Sequence, residues 1–142
     1  MHHIVYQSSA VGEPTAADLA FLLEQARTNN LRLGITGLLL YGSHSFLQVL
    51  EGEEEAVRAV YARIKVDYRN TRVFKLADGP IQKRLFANWS MGFQTLTGEE
   101  FARLTGYIDP YRSGFLDAYL PSVDEELVSV FKSFVVDESA QF

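Results

Sequence analysis

Residues 35–52 read ITGLLLYGSHSFLQVLEG, and this stretch predicts a β-hairpin. Its two apolar runs, residues 35–41 and 46–51, have the length of strands, and the glycine-serine pair between them has the composition of a turn. Gln48 interrupts the second run with a polar side chain that alternates in phase with apolar neighbours. The hairpin therefore carries an amide where the strand pattern predicts the protein core.

A strand and a helix are predicted on the N-terminal side of the hairpin. Alternation beginning at Ile4 indicates the strand, with Tyr6 and Ser8 on one face. Thr15 followed by Asp18 three residues later is typical of a capping box, here with Asp in place of Glu. Apolar residues continue at helical spacing from this start, so the helix has one stripe that faces the core.

A second helix and two more strands are predicted after the hairpin. Residues 57–64 carry an apolar stripe at helical spacing, and the glutamates at 53–55 suit the positive end of the helix dipole. Residues 72–76 and 88–95 predict a fourth and a fifth strand, with Pro80 interrupting between them. Weaker apolar spacing toward the C-terminus predicts further helices.

The order strand–helix–strand–strand–helix–strand, followed by one more strand, predicts a ferredoxin-like α+β fold. Its mixed five-stranded sheet would carry two helices on one face. Val5, Leu47 and Val49 alternate onto the other face and are too apolar to remain in water. We therefore expect the C-terminal helices to pack there, which divides the chain into an α+β domain at residues 2–97 and a helical extension at 98–142.

Composition limits the classes of function. The 142 residues carry a formal net charge of −5, which fits one globular domain and lacks the basic surface of a general nucleic-acid binder. The chain has no cysteine, which excludes a disulfide or a cysteine nucleophile, and its 3 histidines are too scattered to predict a metal site. Without a signal-peptide pattern or a membrane-spanning apolar run, we expect a cytoplasmic protein that does not bind membranes.

Several polar side chains fall where the same patterns predict the core. Asn30 extends the inward stripe of the first helix, with Asn29 beside it, and Asp67 extends the stripe of the second helix. Tyr6 and Gln48 would face each other on adjacent central strands of a ferredoxin-like sheet. A buried amide, phenol or carboxylate without a partner costs roughly 1–3 kcal/mol. A flat ligand with polar edges, held between the helices above the sheet, would satisfy all of them.

Each of these residues also has an ordinary structural interpretation. Asn30 can cap the C-terminus of the first helix, since Asn tolerates the left-handed conformation. Tyr6 can pack with its hydroxyl at a wet edge, and Asp67 can be an exposed residue at a helix end. Trp89 and Met91 share one strand face and can be core residues. The glutamine of the hairpin is harder to explain in this way, and together the residues favour one ligand site.

Short segments along the chain carry a resemblance to a known family. They are Tyr6-Gln7-Ser8, Asn29-Asn30, Gly34-Ile35-Thr36-Gly37-Leu38-Leu39, Phe46-Leu47-Gln48-Val49-Leu50-Glu51-Gly52, Asp67-Tyr68-Arg69, Lys83-Arg84-Leu85-Phe86 and Trp89-Ser90-Met91. In this order they resemble the BLUF family, the blue-light sensors that use flavin, in its short single-domain form. The resemblance covers roughly residues 2–97. One departure is Asn70, where the family often has His on the phosphate side.

The resemblance implies a flavin between the two helices, usually FAD, with FMN or riboflavin also possible. It implies that Tyr6 donates an electron and a proton to the light-excited flavin, and that Gln48 bridges Tyr6 and the flavin edge. Asn30, assisted by Asn29, would bind the carbonyl and amide edge of the ring. Ser8 would help to set the hydrogen bonds of Tyr6.

The resemblance also assigns roles to residues farther from the flavin ring and to the last predicted strand. Arg63, Asp67 and Arg84 would lie on the ribityl and phosphate side, and Trp89 and Met91 would be switch positions that change on illumination. No substrate is turned over in such a cycle, so the resemblance implies a sensor rather than an enzyme. The C-terminal helices would pass the signal to a separate effector protein, and the chain would form homo-oligomers.

Two other functions stay open from the residues alone. The same pocket could serve a flavoprotein that carries out redox chemistry in the dark, which steady oxidation of a reduced nicotinamide would reveal. The domain could also be a ferredoxin-like interaction module with an empty pocket, and colourless protein from flavin-replete cells would favour that function.

Overall fold

The computed structural model describes residues 1–42, 44–87 and 90–97. Within these ranges, five strands and two helices follow one another in the predicted order. They are β1 (His2–Ala10), α1 (Ala16–Leu33), β2 (Thr36–Gly42), β3 (Ser45–Gly52), α2 (Glu54–Lys65), β4 (Asn70–Pro80) and β5 (Gly92–Thr95). The fifth strand thus begins at Gly92 rather than at residue 88. The helices predicted beyond residue 97, and with them the proposed extension, lie outside the described residues.

The strands form one mixed sheet in the order β4-β1-β3-β2-β5. β1 pairs antiparallel with β3 and β4, β2 pairs antiparallel with β3, and β5 runs parallel to β2. The predicted five-stranded mixed sheet is therefore confirmed, with β3 at its centre. The register places Gln48 between Tyr6 of β1 and Leu39 of β2.

β4 is longer than the predicted strand at residues 72–76. Its register against β1 shifts along its length, and Arg72 takes a left-handed φ of 52°. Such an irregularity lets a strand continue past a local break. Pro80 does not interrupt the strand but ends it, at the edge of the sheet, where the missing N–H is tolerated.

α1 has a defined cap at each end. The predicted capping box is present, because Thr15 Oγ1 accepts from the Asp18 N–H at 3.1 Å and Asp18 Oδ2 accepts from the Thr15 N–H at 2.9 Å. At the other end, Gly34 has a left-handed φ of 70°, and its N–H donates to the carbonyls of Asn30 and Leu31. Gly34 is the C-cap, so the interpretation of Asn30 as a capping residue is wrong.

The sheet separates two apolar layers. The layer under the helices includes Ile4, Leu39, Leu50, Val57 and Met91. On the opposite face Val5, Leu47 and Val49 are completely buried, which agrees with their predicted inward orientation. Whether the C-terminal helices cover this face concerns residues outside the described ranges. In those ranges, neither helix combines the length and the apolar character needed to cross a membrane.

An ion cluster around Asp78 joins β4 to β1 and α2. Its carboxylate accepts hydrogen bonds from Lys75 Nζ at 2.7 Å and from Arg58 Nη1 at 3.0 Å, and Asp78 Oδ1 lies 2.6 Å from His2 Nε2. Burial alone would raise the pKa of the Asp78 carboxyl group. The hydrogen bonds from Lys75, His2 and Arg58 outweigh burial and hold this pKa well below its usual range.

Candidate functional site

A cavity of about 230 Å³ lies between the sheet and the two helices. Its polar lining comprises Tyr6, Ser8, Gln25, Asn29, Asn30, Gln48, Arg63, Asp67, Arg69 and Asn70. Side chains of Leu22, Ala26, Leu39, Phe46, Val60 and Ile64 supply its apolar walls. Every residue predicted to bind the cofactor lines this cavity except Arg84. The structure thus brings together predicted residues that are up to 61 positions apart in the sequence, from Tyr6 to Asp67.

Tyr6 and Gln48 meet at the floor of the cavity. The register makes them direct neighbours on β1 and β3, and the Tyr6 hydroxyl donates a hydrogen bond to Gln48 Oε1. On its other side, Gln48 Nε2 donates to Met91 Sδ at 3.4 Å. The predicted facing of Tyr6 and Gln48 is therefore confirmed, and the amide connects the tyrosine to the residue just before β5.

The environment of Tyr6 keeps its phenol protonated. Burial raises the pKa of the Tyr6 hydroxyl far above its ordinary value, and the nearby Tyr61 and Asp67 raise it further. The ring centroids of Tyr6 and Tyr61 lie 5.7 Å apart with their planes tilted by 53°. The phenol is thus a hydrogen-bond donor at any ordinary pH.

Two buried polar atoms on the cavity wall have no hydrogen-bond partner among the described residues. Ser8 Oγ and Asn70 Oδ1 lack a hydrogen bond within the described part of the chain. An unsatisfied buried polar atom costs roughly 1–3 kcal/mol. These atoms therefore fit a ligand with polar groups along its edge. Asn70, the predicted departure from the family pattern, also donates from Nδ2 to the Ile64 carbonyl at 3.3 Å.

Two side chains of α1 hold the backbone that leads into β5. Asn30 is 2% exposed, and its Nδ2 donates to the Ser90 carbonyl at 3.2 Å. Arg27 Nε donates to the Met91 carbonyl at 3.1 Å. Sequence reasoning missed Arg27, although it precedes Asn30 by three positions and so shares its helix face. Asn29, which was predicted, is partly buried on the cavity wall.

Asp67 reaches the cavity from a turn rather than from a helix. α2 ends at Lys65, so extending its stripe to Asp67 was wrong, and Asp67 lies between α2 and β4. Arg69 holds it with Nη2 at 2.6 Å from Asp67 Oδ2 and Nε at 3.0 Å from Oδ1, while Arg69 Nη1 donates to Gln25. The hydrogen bond from Arg69 lowers the pKa of the Asp67 carboxyl group.

Arg84 lies on the opposite face of the sheet. Its Nη1 donates to Thr36 Oγ1 at 3.0 Å and to the Glu51 carbonyl at 3.3 Å. Glu51 is completely buried, and its carboxylate accepts from the backbone N–H groups of Leu85 and Phe86. Because positions 48 and 51 alternate across the sheet, Arg84 cannot reach the cavity that Gln48 lines. Trp89, the other predicted switch position, lies outside the described residues.

Gly37 allows β2 to approach β3 beside Met91. A Cβ atom at this position would overlap the Val49 carbonyl oxygen and would lie 3.4 Å from Met91 Cε. Only glycine fits such an approach without a shift of the strands. The absent side chain thus helps to place the Met91 thioether against Gln48.

The fold and the cavity define an α+β domain that binds a small molecule between its helices and its sheet. Residues 1–92 match the family model described as BLUF, sensors of blue-light using FAD. The chain belongs to this family. BLUF domains bind flavin and sense light, and they are not themselves catalytic.

Relatives of known structure share the fold of the described residues. The photo-activated state of BlsA has a TM-score of 0.73 at 25% identity, covering 99% of this chain and 97% of that one. The dark state of BlrB has a TM-score of 0.68 at 29% identity, covering 93% and 95%. These matches agree with the mixed sheet and two helices described above.

Curated relatives are much longer than this chain. The photoactivated adenylate cyclase subunit beta of Euglena longa is 35% identical over 94 residues, which are 64% of this chain and 11% of the relative. The blue light- and temperature-regulated antirepressor BluF of Escherichia coli is 26% identical over 134 residues, 94% of this chain and 32% of the relative. The chain thus spans about a tenth to a third of these proteins.

Proposed function

We propose that the chain senses blue light through a flavin in this cavity, with Tyr6 as the redox partner of the flavin and Gln48 as the switch. One observation carries the proposal: a single amide accepts from Tyr6 at Oε1 and donates to Met91 Sδ at Nε2. A change at the tyrosine can therefore reach the segment before β5 through one side chain.

The cavity wall supports a flavin as the ligand. Ser8 Oγ and Asn70 Oδ1 offer buried polar atoms that a ligand edge would satisfy. Asn30 and Asn29 would bind the carbonyl and amide edge of the ring, and Gln48 would contact the ring beside Tyr6. Arg63 and Asp67 would lie along the ribityl side, with Arg69 near the phosphates. Arg84 has no part in this site, because it is bonded on the other face of the sheet.

The chemistry assigned to Tyr6 follows from its environment. A flavin excited by blue light supplies a strong one-electron oxidant. The protonated Tyr6 phenol gives up one electron and its hydroxyl proton together, because burial makes a lone phenolate or a lone radical cation costly. The flavin would accept both, and both would return to Tyr6 in the dark, so the cycle would leave no net oxidation.

Gln48 would change its hydrogen bonds after the electron and proton transfer from Tyr6. A primary amide has a donor and an acceptor at opposite corners, and rotation exchanges them. After rotation, the Gln48 NH2 group faces Tyr6 Oη, and its carbonyl oxygen faces Met91. The buried network must be rearranged again for recovery, so the lit state persists.

The signal would leave the site through Met91. This residue directly precedes β5, which lies beside β2, and its backbone is held by Arg27 of α1. We propose that Met91, together with Trp89, alters the segment that follows β5 and so acts on a separate effector protein. We also propose that the natural flavin is FAD, that the chain forms a homo-oligomer and that the protein is cytoplasmic.

An absorption spectrum in the dark, after blue light and during recovery tests this function. We expect an oxidised flavin band that moves to longer wavelength by a few nanometres and returns in the dark. A band that bleaches to a reduced flavin would instead indicate dark redox chemistry, and a colourless protein that binds no added flavin would refute the proposal.

A further inference from the structure

A second tyrosine packs against Tyr6. The ring centroids of Tyr6 and Tyr61 are 5.7 Å apart, which places the two rings in contact. Tyr61 is 7% exposed on α2 and is not among the residues that line the flavin cavity. Two phenols lose an electron with similar ease unless their surroundings differ. Tyr61 could therefore supply an electron to a radical formed at Tyr6.

Such a transfer would interrupt the proposed light cycle. Tyr61 would give up one electron and its hydroxyl proton, and the Tyr6 radical would take up one electron and one proton. Tyr6 would become a phenol again, while the flavin would keep the electron and the proton that it had received. The radical would then lie on α2, and the direct return from flavin to Tyr6 would be lost. A closed cycle thus requires Tyr61 to stay reduced.

Two ammonium groups lie over the ring of Tyr61. Lys65 Nζ is 5.3 Å from the ring centroid, and Lys75 Nζ is 5.5 Å from it. Lys65 follows Tyr61 by four positions on α2, and side chains at this spacing share one helix face. Lys75 comes from β4, where it is the register partner of Tyr6. A helix and a strand thus bring positive charge to the same ring.

Cations over an aromatic face oppose its oxidation. The negative π-face of the ring attracts an ammonium group, and removal of an electron replaces this attraction with repulsion. Burial raises the pKa of the Tyr61 hydroxyl, and Asp78 raises it further, so loss of the phenolic proton is also disfavoured. The Asp78 carboxylate accepts from Lys75 Nζ at 2.7 Å and offsets part of its charge. We therefore expect Lys65 to have the larger effect.

We infer that Lys65 and Lys75 confine the light-driven oxidation to Tyr6 by keeping Tyr61 reduced. This inference rests on the proposed light-sensing function. Tyr6 lines the cavity and donates a hydrogen bond to Gln48, so its oxidation is coupled to the switch. Oxidation of Tyr61 would bypass that amide. The two lysines thus protect the cycle although neither of them lines the cavity.

The test removes both positive charges from the full chain with flavin bound. Lys65→Met/Lys75→Met keeps most of the apolar length of each side chain. Under continuous blue light without oxygen, we expect the oxidised flavin band to disappear about tenfold faster than in the unchanged protein. Electron paramagnetic resonance of frozen, illuminated samples should show a tyrosine radical. Lys83→Met, which removes an exposed charge outside this cluster, is the control and should bleach no faster than the unchanged protein.

A third substitution identifies the donor. Adding Tyr61→Phe to the double lysine variant should restore the slow bleaching and remove the radical signal, because phenylalanine is much harder to oxidise than tyrosine. Lys65→Met alone should give a smaller increase in the same direction. It provides the same comparison if the double variant does not fold.

The outcomes separate this inference from the function on which it rests. Bleaching at the unchanged rate in the lysine variants would overturn the inference and leave the light sensor intact. Fast bleaching that continues after Tyr61→Phe is added would do the same, since the electron would come from another residue. Unchanged protein that binds flavin but shows no reversible shift of its band would overturn the proposed function itself.

Discussion

Arg27 Nε lies 3.1 Å from the Met91 carbonyl oxygen, so α1 holds the backbone of the residue whose sulfur accepts from Gln48. A hydrogen bond thus links α1, which lines the cavity, directly to the segment that would carry the signal. The same segment is held a second time, by Asn30 at the Ser90 carbonyl.

Replacing Arg27 tests whether this hydrogen bond sets the lifetime of the lit state. Arg27→Ala frees the Met91 backbone. Because Met91 Sδ can accept a hydrogen bond from the Gln48 amide only before the amide rotates, the dark arrangement should be favoured less, and we expect dark recovery to be about tenfold slower. Arg27→Lys, which keeps one donor, should restore part of the recovery rate. Arg32→Ala, an exposed arginine of the same helix, is the control. An unchanged recovery rate in Arg27→Ala would show that the contact only supports the fold.

Tyr6→Phe removes the hydroxyl but keeps the buried ring. We expect the variant to bind flavin and to show no lasting spectral shift, because no phenolic proton is available. Transient absorption and steady-state difference spectra check this. Tyr61→Phe is the matched control, as its ring lies 5.7 Å from that of Tyr6. A normal, persistent shift in Tyr6→Phe would rule out the role assigned to its hydroxyl.

Gln48→Leu keeps the side-chain volume and removes both hydrogen-bonding groups. The variant leaves the Tyr6 hydroxyl without its acceptor, which costs roughly 1–3 kcal/mol of stability. We expect flavin binding to persist and the light-induced shift to disappear, since no amide can rotate. The infrared difference spectrum between the lit and dark states should also lack the signal of the Gln48 side-chain amide. A persistent shift of normal size would contradict the switch role of Gln48.

Asp78 predicts how stability depends on pH on the acid side. Hydrogen bonds hold the folded-state pKa of its carboxyl group below the unfolded value, so this stabilisation is present above about pH 4 and is lost as pH falls further. Asp78→Asn should be less stable than the unchanged protein at pH 7. It should also lose less stability than the unchanged protein between about pH 5 and pH 3, the interval around the ordinary pKa of an aspartate. Denaturant unfolding at each pH measures this. Glu54→Gln, which removes the exposed partner of Arg58, should leave the profile nearly unchanged.

The sequence alone was sufficient to predict the centre of the site. Strand alternation has a period of two, so a polar residue in an apolar strand is assigned to a face without knowledge of the rest of the fold. This is why the pairing of Tyr6 with Gln48 followed from the strand order. Asn30 was predicted for the same reason, from the period of α1.

Residues at the ends of elements were harder to predict. The stripe of α2 was extended one turn too far, and Asp67 lies in a turn because the helix ends at Lys65. Arg84 depends on a tertiary contact with Thr36 and Glu51, which no local period encodes. The contact of Arg27 with Met91 also joins residues 64 positions apart, and a charged residue on a helix gives no sign of such a partner.

Gly37 limits how this chain can diverge. Even a single methyl group there meets the Val49 carbonyl, so any other side chain at position 37 pushes β2 away from β3, the strand that carries Gln48. Selection for a new colour response or a new lifetime must therefore act through other positions. In a mutational library built on this domain, position 37 is one to leave constant.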